Sequence, residues 1–161
     1  MITLARWSHG DFPLLEALLG DPAMMVHLGG PESPEKLRSR QARYVAIESG
    51  CYRVDLDGQG VGWVGIWDRD DGEAEVGWSV VPSAQGRGVA TTATRLLLDE
   101  ARALGRWRFA HALPSVDNGP SNALCRRLGF ELLGASDGEY PPGTGNILRC
   151  NDWRVSVAGA G

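Results

Sequence analysis

The sequence predicts a mixed α+β domain, and three observations lead to that prediction. Apolar and polar residues alternate between Tyr52 and Val81, which indicates consecutive antiparallel strands joined by short turns. The apolar period then changes from two to about 3.6 over residues 87–104, as in a long amphipathic helix. A further strand, Trp107 to Leu113, follows, so the helix is expected to join two parallel strands of one sheet.

The elements before these strands are predicted to be short. Apolar and polar residues alternate weakly over residues 2–7, which predicts a first strand. Helix-start residues at positions 8–13 predict a short helix with four leucines on its apolar side. Residues 21–22 open a second helical turn. A serine–proline pair at 33–34 provides an N-cap and a first helical position, and Gly50 is expected to close that helix.

The remaining elements follow in order. The turns at 57–58 and 69–72 separate three strands of the meander, and Gly105 stops the long helix. A shorter helix over 119–128 and two strand-like runs, 130–134 and 146–155, complete the predicted order.

Composition limits the function classes. The 161 residues are 43% apolar and 22% charged, which fits one domain over residues 1–161. A net charge of −4 gives no general attraction for nucleic acid, and no apolar run is long enough for a membrane span. The N-terminal residues show no signal peptide, so we expect a cytoplasmic protein. Three widely spaced cysteines favour neither a disulfide framework nor a zinc site.

The main chemical signal lies where the meander ends and the long helix begins. Gly86 and Gly88 free the backbone there, and the unpaired amides of a helix start attract anions, so a phosphate ligand is expected. The alternative is a tight turn in which the glycines serve geometry alone. A P-loop is excluded because Val89-Ala90 follows Gly88, and Thr91 at the third glycine position disfavours a dinucleotide fingerprint.

Two segments resemble the GCN5-related N-acetyltransferase (GNAT) superfamily. Gln85-Gly86-Arg87-Gly88-Val89-Ala90 is similar to its Q/R-x-x-G-x-G/A signature, and residues 118–130, ending in Gly-Phe, resemble its later motif. Together with Glu75-Val-Gly-Trp78, these motif sequences most resemble the branch of the family that contains the ribosomal-protein N-terminal acetyltransferases.

The resemblance implies a mostly antiparallel sheet of six or seven strands, splayed between strands 4 and 5 and flanked by about four helices. It also implies that acetyl-CoA binds in the resulting cleft, with pantetheine along strand 4 and pyrophosphate on the helix start. The implied cofactor-binding residues are Trp78, Ser79, Val80, Gln85, Gly86, Arg87, Gly88, Val89, Ala90, Thr91 and Asn118. Asn118 has an alternative role as a helix-entry residue.

Glu75 is the predicted general base or ammonium holder. It lies in a strand expected to be covered on both faces, where desolvation would raise its pKa toward neutrality. The alternative is an ion pair with an arginine at the strand end. Gly77 and Ser79 on the same strand face are expected to leave room for an acyl group, and a backbone amide near Val80 is the expected oxyanion donor.

The candidates for protonating the leaving CoA thiolate are Ser121 and Cys125. Many members of the family carry a tyrosine seven residues after the asparagine, and Cys125 stands there in this chain. Ser121, one helical turn earlier on the same face, could donate instead. Thiolate is already a good leaving group, so the missing tyrosine does not exclude catalysis, and no metal is expected.

These observations predict an N-acyltransferase that moves acetyl from acetyl-CoA to a primary amine by direct attack in a ternary complex. The amine belongs to a protein N-terminus or to a small molecule, and neither nucleic acid nor membrane is an expected partner. The alternatives are a noncatalytic acyl-CoA-binding domain and a structural domain whose glycines only form turns.

His111 is interpreted as an ordinary strand residue. Trp63 and Trp67 form a sheet face whose exposure would favour a homodimer.

Overall fold

The computed structural model describes residues 1–27, 29–46, 50–140 and 143–159. Within these residues the strands are β1 (Ile2–Arg6), β2 (Cys51–Leu56), β3 (Gln59–Asp68), β4 (Ala74–Val80), β5 (Phe109–Ala112), β6 (Glu131–Glu139) and β7 (Ile147–Ser156). The α-helices are α1 (Phe12–Leu19), α2 (Pro34–Val45), α3 (Val89–Leu104) and α4 (Gly119–Arg127). Single 3-10 turns occupy His9–Asp11 and Pro82–Ala84.

The strands form one sheet in the order β1-β2-β3-β4-β5-β7-β6. Each neighbouring pair is antiparallel except β4 and β5, which are parallel because α3 connects them. The β2–β3 hairpin turns at Asp57 and Gly58, both with positive φ (51° and 85°), which is the turn that matches the strand twist. The predicted sheet and its helices are therefore confirmed.

Two apolar layers cover the two faces of the sheet. Val64, Val76 and their neighbours pack against the amphipathic helix α3, which is buried through Leu97 and Leu98. The opposite face carries Trp63, and α1 and α2 pack over it. Trp63 is buried beneath these helices, whereas Trp67 at the end of β3 is 37% exposed. The homodimer stays a prediction.

The β4–β5 ladder is short, and this determines where a site can form. Its pairs are Ala74 with Ala110 and Glu75 with His111, after which the two strands diverge. Strand β4 continues to Val80, so its outer edge lies open beyond Glu75. The predicted splay between strands 4 and 5 is confirmed.

Three predicted elements differ from the structure. Helix α2 ends at Val45 with Ala46 as its C-cap, and the remaining stretch predicted as helix, residues 47–49, lies outside the described residues. Residues 22–27 form successive turns instead of a helix. Strand β6 extends to Glu139 because pairing with β7 continues past a bulge at Gly134, although its sequence there is polar. Among the described residues, no helix combines the length and apolar character needed to cross a membrane.

Candidate active site

A cavity of about 870 Å³ opens where β4 and β5 diverge. Its walls come from β4, from the segment after β5, from the start of α4 and from α1 and α2. Of the predicted site residues, Glu75, Trp78, Ser79, Asn118 and Ser121 line it. The structure thus brings the predicted base and one predicted thiolate donor into the same cavity.

The outer edge of β4 presents backbone groups to this cavity. The amide of Val81 donates to the carbonyl of Val61 on β3 at 2.9 Å. Because hydrogen bonding alternates along an antiparallel ladder, Ser79 also faces β3, and the amides of Trp78 and Val80 face the open side. An extended ligand such as pantetheine fits this edge as an additional strand would.

An aromatic row covers the sheet beside Glu75. The rings of Tyr44 and Trp63 are stacked with centroids 5.0 Å apart, and Trp63 and Trp67 lie 6.2 Å apart. A Cβ at Gly77 would lie 3.0 Å from Trp67 Cη2 and 3.1 Å from Trp63 Cζ3. The space expected above Gly77 for an acyl group is therefore filled by indole rings.

Glu75 is a partly buried carboxylate on the cavity wall. It forms no hydrogen bond or ion pair with any described residue, so the alternative of a strand-end ion pair is not what the structure shows. Burial raises the pKa of Glu75 above its ordinary value, while the charges of Arg69 and His111 act in the opposite direction. A carboxylate whose pKa is raised in this way accepts a proton more readily than an ordinary glutamate does.

Next to Glu75, His111 is held between two carboxylates. Its Nδ1 lies 2.7 Å from Asp152 Oδ1, and its Nε2 contacts the carboxylate of Glu73. The ring is buried, and ligand-type atoms of Asp71, Glu73 and His111 lie within 4.8 Å of one another. Interpreting His111 as an ordinary strand residue missed these contacts, because Asp152 is brought there by the β5–β7 register, which the sequence does not specify.

Ser121 and Asn118 stand at the start of α4. The indole Nε1 of Trp78 donates to Ser121 Oγ at 3.2 Å, which leaves the hydroxyl proton able to point elsewhere. The Asn118 side-chain oxygen accepts from the Ser121 amide at 3.2 Å, so Asn118 caps the helix. Its side-chain nitrogen donates to no described residue, and Asn118 lines the same cavity.

Cys125 lies apart from these groups. It is 0% exposed, within the main core, and is not part of the cavity wall. Burial raises the pKa of its thiol to about 12. The structure therefore brings Ser121, and not Cys125, to the cavity wall.

The loop from Gln85 to Thr91 forms an anion-binding arrangement. Gly88, with φ of 74°, is the N-cap of α3 without a side-chain cap, and the helical ladder begins with the Thr92 amide donating to Gly88. The six amides from Gly86 to Thr91 donate to no acceptor among the described residues. The space above Gly86 and Gly88 is open, because a Cβ on either would meet nothing within 4 Å. These donors fit a pyrophosphate.

The other predicted residues of this loop differ in which groups are available to bind a cofactor. The Gln85 side chain donates to the Val80 carbonyl at 2.9 Å, which ties the loop to the end of β4. The Val89 side chain is buried in the core, so only its amide is available. Arg87 is exposed. Thr91 keeps a hydroxyl beside the amides.

Comparisons with known proteins agree with this geometry. Residues 2–131 match the family profile described as an acetyltransferase (GNAT) domain. A Salmonella typhimurium acetyltransferase that modifies the N-terminal serine of ribosomal protein L7/L12 is 21% identical, with a TM-score of 0.81 over 96% of this chain and 94% of its own. A Brucella melitensis ribosomal-protein-alanine N-acetyltransferase is 22% identical, with a TM-score of 0.76 and coverage of 97% and 99%. The Salmonella typhimurium protein YncA, solved with its cofactor acetyl-CoA, is 18% identical, with a TM-score of 0.74 and coverage of 100% and 96%.

Proposed function

Because the chain belongs to the GNAT acetyltransferase family, we propose that it transfers acetyl from acetyl-CoA to a primary amine, with Glu75 as general base. The acceptor is a protein N-terminal α-amine, as for two of the similar structures, or a small-molecule amine. The observation that carries the proposal is the position of Glu75 on the cavity wall beside the open edge of β4, where its carboxylate has no ion-pair partner among the described residues.

Acetyl-CoA would bind through backbone amides that donate to no acceptor in the part of the chain that the structure describes. The amides from Gly86 to Thr91 would hold the pyrophosphate at the positive end of α3. The pantetheine arm would continue along β4 at Trp78 and Val80, with the Asn118 side-chain nitrogen as a further donor. This route brings the thioester to the cavity between Glu75 and Ser121.

Glu75 would begin the reaction by accepting a proton from the acceptor ammonium, either directly or through one water. The neutral amine then attacks the thioester carbonyl carbon, and a C–N bond forms as the carbonyl oxygen gains negative charge. The Val80 amide, which faces the open side of β4, would stabilise that oxygen. The nitrogen of the intermediate then loses a second proton to solvent, and collapse of the intermediate breaks the C–S bond and yields the amide.

Ser121 would stabilise the departing sulfur. Its oxygen already accepts a hydrogen bond from Trp78, so its proton is available for donation to the thiolate. Ser121 would pass this proton to the thiolate and regain one from solvent. The net products are the acetylated amine, CoA thiol and one proton. Cys125 is not assigned this step, because its thiol is buried away from the cavity.

Acetyl transfer to a panel of peptides and small amines tests this proposal, with CoA thiol release and product mass as readouts. The wild-type protein is compared with Glu75→Gln and with Glu131→Gln, which makes the same change at an exposed site on β6. Transfer by the wild type and by Glu131→Gln, but not by Glu75→Gln, supports the proposal. Acetyl-CoA binding without transfer to any amine would favour the noncatalytic acyl-CoA-binding alternative.

A further inference from the structure

One wall of the cavity is not used by the reaction described above: a single face of α2. Four of its polar residues recur at the three- and four-residue spacing of one helix face, and all of them line the cavity. These residues are Lys36, Ser39, Arg40 and Arg43. Three cations therefore stand on one wall in a chain whose net charge is −4.

Arg40 is the neutralised member of this set. Its Nε donates to Glu32 Oε2 at 3.0 Å, a second nitrogen contacts the other oxygen of the same carboxylate, and Nη1 donates to the Tyr44 hydroxyl at 3.2 Å. A weaker contact of 3.4 Å reaches the Tyr140 hydroxyl at the end of β6. Arg40 thus serves to hold the cavity wall together.

Lys36 and Arg43 are different. Both are exposed, and neither forms an ion pair or a side-chain hydrogen bond with any residue that the structure describes. The carboxylates found on the cavity wall in the described ranges are Glu32, which Arg40 occupies, and Glu75. Within the described residues, the cavity therefore combines the carboxylate of Glu75 with two cations on α2 that have no ion-pair partner.

The aromatic row joins these two charged regions. It begins with Tyr44 on α2, passes through Trp63, and ends with Trp67, the cross-strand partner of Glu75. A molecule that lies along this row would have one end at Glu75 and the other near α2. Its two ends would meet fields of opposite sign.

We propose that the acceptor is an amine that also carries carboxylate groups, which Lys36 and Arg43 bind while the amine lies at Glu75. This inference rests on the proposed acetyl transfer and narrows its substrate class. The shared chemistry is found both in a peptide with acidic residues after its N-terminus and in a free amino dicarboxylate. Opposite charges at the two ends would orient either molecule for attack.

Binding of matched ligands tests the proposal independently of catalysis. Tryptophan fluorescence reports binding, because Trp63 and Trp67 lie on the cavity wall. An acidic peptide is compared with its Asn/Gln counterpart, and free aspartate and glutamate are compared with asparagine and glutamine. The proteins are wild type, Lys36→Gln, Arg43→Gln, the double variant, and Arg38→Gln, which removes an exposed charge from α2 outside the cavity.

The wild type and Arg38→Gln are expected to prefer the acidic ligand by about tenfold, with each cavity substitution reducing that preference by about twofold to fivefold. The preference should also shrink at roughly 0.5 M salt, because exposed charges are screened. Tighter binding of the peptide or of the free amino acid identifies which source supplies the carboxylates.

Equal binding of acidic and neutral ligands, or a preference that the double variant retains, overturns the charge recognition. Acetyl transfer to the same ligands separates the two proposals. Equal transfer to acidic and neutral amines overturns this inference alone, whereas preferential binding without any transfer overturns the proposed function and leaves the charge recognition standing.

Discussion

At the scale of single residues, Glu75 combines its proposed role as general base with a local stability cost. A carboxylate whose pKa is raised by burial is less stable when ionised in the folded protein than in the unfolded chain. Its contribution is therefore most favourable below the ordinary glutamate pKa and is lost as the pH rises through the raised value. This cost fits a group kept for proton transfer.

We expect Glu75→Gln to lower kcat by roughly 10²- to 10⁴-fold, the usual contribution of a general base. In the wild type, kcat/KM should rise with pH through the raised pKa of Glu75 and then level off. Steady-state kinetics across pH measure both effects. A Glu75→Gln enzyme with wild-type kcat would remove Glu75 from the mechanism.

The same substitution is expected to leave stability at pH 8 unchanged or slightly higher, because it removes a desolvated charge that has no ion-pair partner among the described residues. Its stability relative to the wild type should fall as the pH drops below the raised pKa. Thermal unfolding at several pH values measures this difference. A large loss of stability at pH 8 would mean that Glu75 has a structural role.

Ser121 and Cys125 can be separated by a pair of substitutions. Ser121→Ala should lower kcat by roughly tenfold, as loss of a proton donor does, and cost about 1 kcal/mol because Trp78 Nε1 loses its acceptor. Cys125→Ala should keep kcat within about twofold while losing about 1 kcal/mol of packing. Kinetics and denaturant unfolding of the two variants provide the comparison, and the reverse pattern of kcat would assign the thiolate donor to Cys125.

At the scale of elements, the glycines at the two ends of α3 have similar backbone conformations, but they lie at opposite ends of the helix. Gly88 at the N-cap has φ of 74°, and Gly105 at the C-cap has φ of 68°. Alanine strains both positions by about 1 kcal/mol, since side chains disfavour the left-handed region. Only Gly88 adjoins the free amides.

Gly88→Ala should therefore weaken acetyl-CoA binding by roughly tenfold or more, whereas Gly105→Ala should lose a similar amount of stability and keep its affinity. Titration calorimetry with acetyl-CoA measures the two dissociation constants. Equal affinities for the two variants would mean that the start of α3 does not hold the pyrophosphate.

The sequence patterns correctly predicted those structural features that depend only on residues close together in the chain. The positive-φ turn at residues 57–58 and the glycine before α3 follow from backbone sterics, and both are observed. The extension of β6 to Glu139 depends on pairing with β7, which no local propensity reports. Similarly, Glu75 and Ser121, which the motifs predicted as site residues, both line the cavity. The carboxylates around His111 depend instead on strand register.

At the scale of the whole molecule, family membership confirms the predicted enzyme class, an acetyl-CoA-dependent N-acetyltransferase. The topology of the sheet explains why the cavity and the anion-binding loop lie next to each other. The crossover helix α3 makes β4 and β5 parallel neighbours, their short ladder lets them diverge, and the same helix presents its free amides beside the opening. One connection thus produces both the cavity and the anion site.

The most direct test of this account is thermal unfolding, followed by tryptophan fluorescence, with and without millimolar acetyl-CoA. Ligand at 100 times its dissociation constant should stabilise the fold by about 2.7 kcal/mol, which raises Tm by roughly 2 to 4 °C or more for a chain of this size. ATP and NAD serve as controls and should leave Tm unchanged. A shift with acetyl-CoA alone is the predicted result. No shift at saturating acetyl-CoA would contradict the account, because neither the amides before α3 nor the edge of β4 would then hold the co-substrate.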